Sequence, residues 1–262
     1  SSAASDVYKR QPKHLSLEQC SSEITARYKA RLLQGDSLTD LTGGFGIDCS
    51  FLATGFKSAT YVERQEELCE IAAHNFPVLN LNHINIKNED GVTYLQAMSP
   101  VDCLFLDPAR RNEHGGKTVA ISDCEPNVAE LEELLLQKAN RVMIKLSPML
   151  DLSLALKELK QTQEVHILSV NNECKELLIL LGQTSPAEIT IHCVNLFTKG
   201  TQEEQHFVFT REQEQRSQCT YTDSLGDYLY EPNASLLKAG AFRSIAAAYP
   251  VRKLHPNSHL YT

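Results

Sequence analysis

Apolar and polar positions along this chain switch repeatedly between two periods. Short apolar runs at residues 38–41, 59–63, 83–87, 101–106, 141–146, 165–170 and 176–181 read as strands. Stretches of helical period follow from about 47 and over 65–76, 125–139 and 151–161, the third with an acidic outer face. Residues 101–106 are almost continuously apolar, as a strand buried on both faces requires. Strands alternating with helices predict a Rossmann-like, doubly wound α/β fold with a mostly parallel, seven-stranded sheet. Upstream, residues 16–34 predict a helix with polar and basic faces carrying Arg27, Lys29 and Arg31. The pattern changes after 183. Residues 189–197 and 206–210 read as a hairpin, 212–224 as a polar linker, and 234–248 as a helix.

Composition narrows the class. The 262 residues, 42% hydrophobic and 22% charged, suit one full α/β domain with a smaller module and a core that needs no disulfides. The eight cysteines, at 20, 49, 69, 103, 124, 174, 193 and 219, form no CxxC pair, so they read as buried reduced thiols of a cytoplasmic protein. The apolar runs, such as 177–181, fall far short of the ~18 residues a membrane span needs. No charged-then-apolar leader is present, and no membrane association is expected. His255 and His259 are separated by Pro256 and Asn257, which argues against a helical metal pair; no metal is expected. Residues 2–11 look like a translated adapter end and are set aside from the fold. The net charge of −8 weighs mildly against nucleic acid, although residues 240–262 carry Arg243, Arg252 and Lys253 and no acid.

Four segments carry candidate chemistry, each after a predicted strand. The first is Asp40-Leu41-Thr42-Gly43-Gly44-Phe45-Gly46. Glycines there admit a ligand close to the backbone, and the following helix offers unpaired N–H groups. Asp40 is placed to accept a hydrogen bond from a ligand ammonium. Such a turn also suits a dinucleotide, or mere packing. The second is Glu63-Arg64, where the acid can hold a ribose diol or simply start a helix. The third is Asp90-Gly91, an acceptor for an adenine amine or a turn acid. The fourth is Asp107-Pro108-Ala109-Arg110-Arg111, at the carboxyl end of the most apolar strand. Pro108 fixes an extended exit there. Arg110, Arg111 and Lys117 can contact a substrate phosphate or base, or pair with the acids of 125–133, and Lys145 can orient the substrate or simply cap a strand end.

Taken together these segments resemble bacterial class I S-adenosylmethionine-dependent methyltransferases that carry a THUMP-like domain. The resemblance rests on 40–48, 107–111, Lys117, Asp123-Cys-Glu-Pro126, 145–151, Glu173-Cys-Lys-Glu-Leu177, Tyr228-Leu-Tyr-Glu-Pro-Asn233 and 238–242, with a tail, 254–262, similar to that family's small ferredoxin-like module. It implies a helical remnant over 12–35, a methyltransferase domain over 36–214 and a ferredoxin-like module over 220–262. The family's THUMP-like domain has no counterpart in these residues. S-adenosylmethionine is the implied cofactor. Asp40, Thr42, Gly43, Gly44 and Gly46 would line its methionine end, Glu63 and Arg64 its ribose, Asp90 and Gly91 its adenine. Asp107, Pro108 and Arg110 would stand at the transferred methyl, and RNA (tRNA or rRNA) is the implied substrate.

The acceptor is less defined. Amine-methylating enzymes often place an aromatic ring after Asp-Pro-Pro; here Ala109 and Arg110 follow, and an arginine plane can stack on a base instead. Carbon methylation of a pyrimidine needs a thiol, yet Lys145-Leu146-Ser147-Pro148 presents serine, and Cys124 and Cys174 read as buried structural residues. Two other readings stand: a NAD-type oxidoreductase, for which Cys49 takes a position better suited to glycine, and a donor- or RNA-binding scaffold without catalysis.

Overall fold

A computed structural model of the chain describes residues 22–111, 119–201 and 204–262. The set-aside residues 2–11 and the expected helix start at 16–21 lie outside these. The chain divides into two compact units: residues up to Gln161 with Leu180–Thr184, and Thr162–Ile179 with Ser185–Thr262.

The first unit alternates strand and helix: α1 (Glu23–Ala30), β1 (Ser37–Asp40), α2 (Ile47–Leu52), β2 (Ser58–Val62), α3 (Glu66–Val78), β3 (Ile84–Lys87), α4 (Gly91–Ala97), β4 (Val101–Leu106), β5 (Ala109–Arg110), β6 (Cys124–Glu125), α5 (Val128–Lys138), β7 (Ala139–Leu146) and α6 (Leu152–Glu158). Its strands run in the order β3-β2-β1-β4-β7, and each pair is parallel. The chain fills one side of β1 with β2 and β3, then returns to place β4 on the other. The carboxyl ends of β1 and β4 therefore flank a topological switch point, where such sheets bind ligands.

Burial explains why these segments became strands. Cys103, Leu104, Phe105 and Leu106 of β4 and Val142, Met143 and Ile144 of β7 are all essentially inaccessible, as both-face burial in a parallel sheet demands. Polar side chains fix the ends. The Asp102 carboxylate accepts from the N–H of Asp36 (2.6 Å) and of Ser37 (3.1 Å), clamping the start of β1 to β4. Asp90, Asn127 and Asp151 cap α4, α5 and α6 by accepting from the N–H of Thr93, Ala129 and Leu154. Lys29 departs from the expected solvated basic face: it is fully buried.

The second unit holds β8 (Thr162–Val170), β9 (Glu173–Gly182, whose last residues belong to the first unit), β10 (Thr190–Leu196), β11 (Gln205–Thr210), α7 (Arg211–Arg216), α8 (Ala234–Ala239) and α9 (Phe242–Ala248). Asn171 and Asn172, with φ of 48° and 64°, join β8 to β9. Two successive left-handed residues make the tight turn of a hairpin. β10 pairs parallel with β8 and antiparallel with β11, the latter being the hairpin expected from 189–210. The two units thus bring more strands than the expected seven. The expected linker begins instead as α7, because Thr210 and Gln213 form a reciprocal capping box. The expected helix over 234–248 is two, divided at Gly240 (φ 68°). Ser235 anchors α8, its hydroxyl 2.6 Å from Ser169 Oγ and 2.9 Å from the carbonyls of Ile167 and Val194. Among the described residues, no helix is long and apolar enough to cross a membrane.

Candidate functional site

The glycine turn is held from below. Leu41 N–H donates to the Phe105 carbonyl (3.0 Å) and Gly43 N–H to that of Val62 (2.8 Å), so the turn hangs from β4 and β2 at once. Gly44 and Gly46 have φ of 56° and 80°, the left-handed region that glycine enters without strain. Gly43 is fixed by space: a Cβ there would stand 2.3 Å from the Tyr61 ring. That ring is the floor of the turn. Its hydroxyl donates to the Gly44 carbonyl, and Phe76 packs on it edge-on, centroids 5.5 Å apart.

A cavity of about 590 Å³ opens above this turn, a size usual for small-molecule sites. Its lining brings together Asp40, Thr42, Gly43, Gly44, Gly46, Glu63, Arg64, Asp90, Gly91, Asp107, Arg110, Arg111 and Lys145. Pro108 is not part of the lining. Lys117 lies outside the described residues.

Each acid is held differently. Asp40 is buried at the end of β1 and accepts from Thr42 N–H (2.9 Å) and Thr42 Oγ1 (3.3 Å). Burial raises its carboxyl to about 8 against those bonds, and the Asp48 and Asp107 charges push the same way. The Thr42 hydroxyl also accepts from Asp107 N–H (2.7 Å), tying the ends of β1 and β4 together. Glu63 accepts from Gly44 N–H (3.0 Å) and Gln65 N–H (2.7 Å), which aims its carboxylate across the turn. Asp90 Oδ2 accepts from Thr93 N–H (3.0 Å) and Thr93 Oγ1 (3.1 Å) while lining the cavity. Gly91 is dictated by packing, since a Cβ there would lie 2.3 Å from the Leu41 carbonyl oxygen.

Asp107, itself partly exposed, ends a largely buried alternation of charge that sequence reasoning missed. Lys29 Nζ lies 2.7 Å from Asp48 Oδ1, Lys145 Nζ 3.0 Å from Asp48 Oδ2, and Lys145 Nζ 3.2 Å from Asp107 Oδ2. Burial raises the Asp48 carboxyl, but the two ammonium groups outweigh it and hold it well below the ordinary carboxylate range. Asp107 shares Lys145 only, and there burial wins: its carboxyl is raised. Lys145, one of the alternatives for which was a bare strand cap, is thus the cation between two carboxylates. Asp48 could have been suspected as an acid in the first turn of a helix that begins at the glycine turn. Lys29 carried no signal. Sequence reasoning also missed Glu125 and Pro126, which line the cavity because β6 pairs with β5 and sets Glu125 opposite Ala109.

No cysteine lines this cavity among the described residues. Burial raises the Cys124 thiol and pushes Cys174 up to about 11. Thiols so shifted are poor nucleophiles. The arrangement suits binding of a small molecule with a cationic amine and a diol, beside a carboxylate whose charge is only partly compensated.

The fold is Rossmann-like, of the kind found in class I methyltransferases, and residues 228–262 match a family described as a ferredoxin-like domain. The chain is similar to a candidate methyltransferase from Porphyromonas gingivalis W83, with 39% identity and a TM-score of 0.86 over 96% of this chain. It spans 63% of that protein's length. A candidate class I S-adenosylmethionine-dependent methyltransferase from Listeria monocytogenes shares the fold at 11% identity and a TM-score of 0.52, over 70% of this chain and 68% of its own. No curated protein matches the chain.

Proposed function

We propose that the chain is an S-adenosylmethionine-dependent methyltransferase acting on RNA. The observation that carries this reading is the meeting of Asp40, the glycine turn, Glu63, Asp90 and Asp107 in one cavity at the switch point. The cavity fits the donor on its own chemistry. A Cβ on Gly44 would meet nothing nearer than 3.6 Å, so its absence leaves the turn open to a close-lying ligand. Asp40 would accept from the donor's ammonium, Glu63 from its ribose hydroxyls, and Asp90 from its adenine amine. The donor supplies an electrophilic methyl on a sulfonium.

The remaining work falls to the chain. Asp107, at the carboxyl end of β4, holds the acceptor in line and takes its proton as the bond forms. Its raised carboxyl is closer to the basicity that such a transfer requires. Lys145 keeps Asp107 in place and, through Asp48, is itself held by a second carboxylate. Arg64, Arg110 and Arg111 on the lining supply planar cations for phosphate or for stacking on a base. This supports RNA as the acceptor class despite the acidic total.

Incubating the purified chain with methyl-tritiated donor and total RNA tests the reading. The expected result is label in an RNA fraction, lost in Asp107→Ala while donor affinity persists. Label in protein or small molecules only would replace RNA as the substrate, and no label in any fraction would refute transfer.

A further inference from the structure

The second unit contains a cluster of side chains that the methyltransferase reading does not use. His166 of β8 lies directly opposite His192 of β10 in the parallel register. Glu164, two residues before His166, therefore shares that face of the sheet. On β11, His206 pairs with Val194, one pleat from His192 on the same face. The sheet thus assembles an acid and three imidazoles from three strands. Motif spacing cannot show such a set, which is why no metal was expected from the sequence.

The geometry points to a binding site for one divalent transition-metal ion of the zinc class, held by Glu164, His166 and His192, with His206 supporting it from behind. One donor atom from each of the first three residues lies within 4.8 Å of the others. Donors around a tetrahedral zinc at ~2.0–2.1 Å stand roughly 3.3 Å apart, so rotamer adjustment of about an ångström closes the site. Two of the contacts are already short: His166 Nε2 is 3.5 Å from Glu164 Oε2, and the rings of His166 and His192 stack with centroids 4.1 Å apart and planes 5° from parallel.

His192 supplies the most telling detail. Its Nδ1 is 2.9 Å from His206 Nε2, and its Nε2 is buried with no hydrogen-bond partner. A buried polar nitrogen without a partner is costly, and a bound cation removes that cost. A ligating imidazole commonly has its other nitrogen held by a hydrogen bond, which fixes ring and tautomer; His206 gives His192 that support. Two nitrogens and a carboxylate oxygen favour zinc-like ions over magnesium or calcium. Three protein ligands leave a fourth position for water. The ion would tie β8 to β10.

The test is a cobalt(II) titration of the chelator-treated 262-residue chain, followed by visible absorption and by displacement with zinc. The expected result is one equivalent bound, with the intense visible bands of four-coordinate cobalt. Glu164→Gln should weaken binding at least tenfold, His206→Phe about ten- to a hundredfold, and His192→Ala should abolish it. A thermal melt of each variant verifies folding. If His192→Ala does not fold, Glu164→Gln, in the half-exposed carboxylate, decides alone. Absence of binding, equal affinity in Glu164→Gln, or a thiolate-to-cobalt charge-transfer band that assigns the ion to cysteines would overturn the proposal.

Discussion

Asp40→Asn removes one titrating proton and leaves the side chain's shape intact. In the folded chain the carboxyl stands at about 8 rather than 3.8. A carboxyl raised on folding contributes stability that is complete below the unfolded value and is lost as pH climbs through the folded one. Wild type should therefore lose stability relative to Asp40→Asn between about pH 4 and pH 8. Each pH unit inside that window is worth at most about 1.4 kcal/mol. From pH 5 to pH 7 the limit is about 2.7 kcal/mol, and about half of that is realistic once local water and relaxation are allowed for. For a chain of this size it means a melting difference that widens by roughly 3–5 °C. The same substitution deletes the carboxylate proposed to meet the donor's ammonium, a charged hydrogen bond worth ~1.5–3 kcal/mol. At pH 7 about 1.4 kcal/mol of that is spent in ionising a carboxyl that stands at about 8, so donor affinity should fall by up to about tenfold. Thermal melts at pH 5 and pH 7, with calorimetric titration of donor at pH 7, measure both. A melting difference that stays constant with pH, or unaltered affinity, would refute the role assigned to this carboxylate.

Other outcomes follow from the same geometry. Because Asp40 is mostly protonated below about 8, donor binding at pH 7 should release close to one proton, read from calorimetry in buffers of different ionisation enthalpy, and affinity should rise between pH 6 and 8. Lys145→Met leaves Asp107 without its close cation and Asp48 with Lys29 alone; the expected loss is about 3–5 kcal/mol in denaturant unfolding, and a loss below 1 kcal/mol would show the network to be well solvated. Gly43→Ala drives a Cβ to 2.3 Å from the Tyr61 ring, and should cost about 1–3 kcal/mol in the same assay while weakening donor binding. Ser235→Ala removes the hydroxyl between the Ile167 and Val194 carbonyls, for an expected cost of about 1–2 kcal/mol with donor affinity unchanged.

Much of the first unit was legible in the sequence because its information is local. The runs at 38–41, 59–63, 83–87 and 101–106 lie within a residue or so of β1 to β4, and acids and glycines placed just after them reach a common cavity by topology alone. What stayed hidden depends on contacts between distant segments. Lys29 and Asp48 look like solvated charges until α1 and α2 pack and bury them as a pair. Gly91 resembles half of a ligand motif, yet the Leu41 backbone excludes any side chain there. The capping box at Thr210 and Gln213 was readable as T-x-x-Q but sits in a run polar enough to pass for a linker. The imidazoles of His166, His192 and His206 meet only through the register of three strands.

On the proposed function, the cavity above the glycine turn receives S-adenosylmethionine. Calorimetric titration of the purified chain with S-adenosylmethionine, and in parallel with NAD, tests it most directly. One donor site per chain is expected, weakened by Glu63→Gln, with no comparable heat from NAD. Binding of NAD in place of the donor, or donor affinity indifferent to both Asp40→Asn and Glu63→Gln, would contradict it.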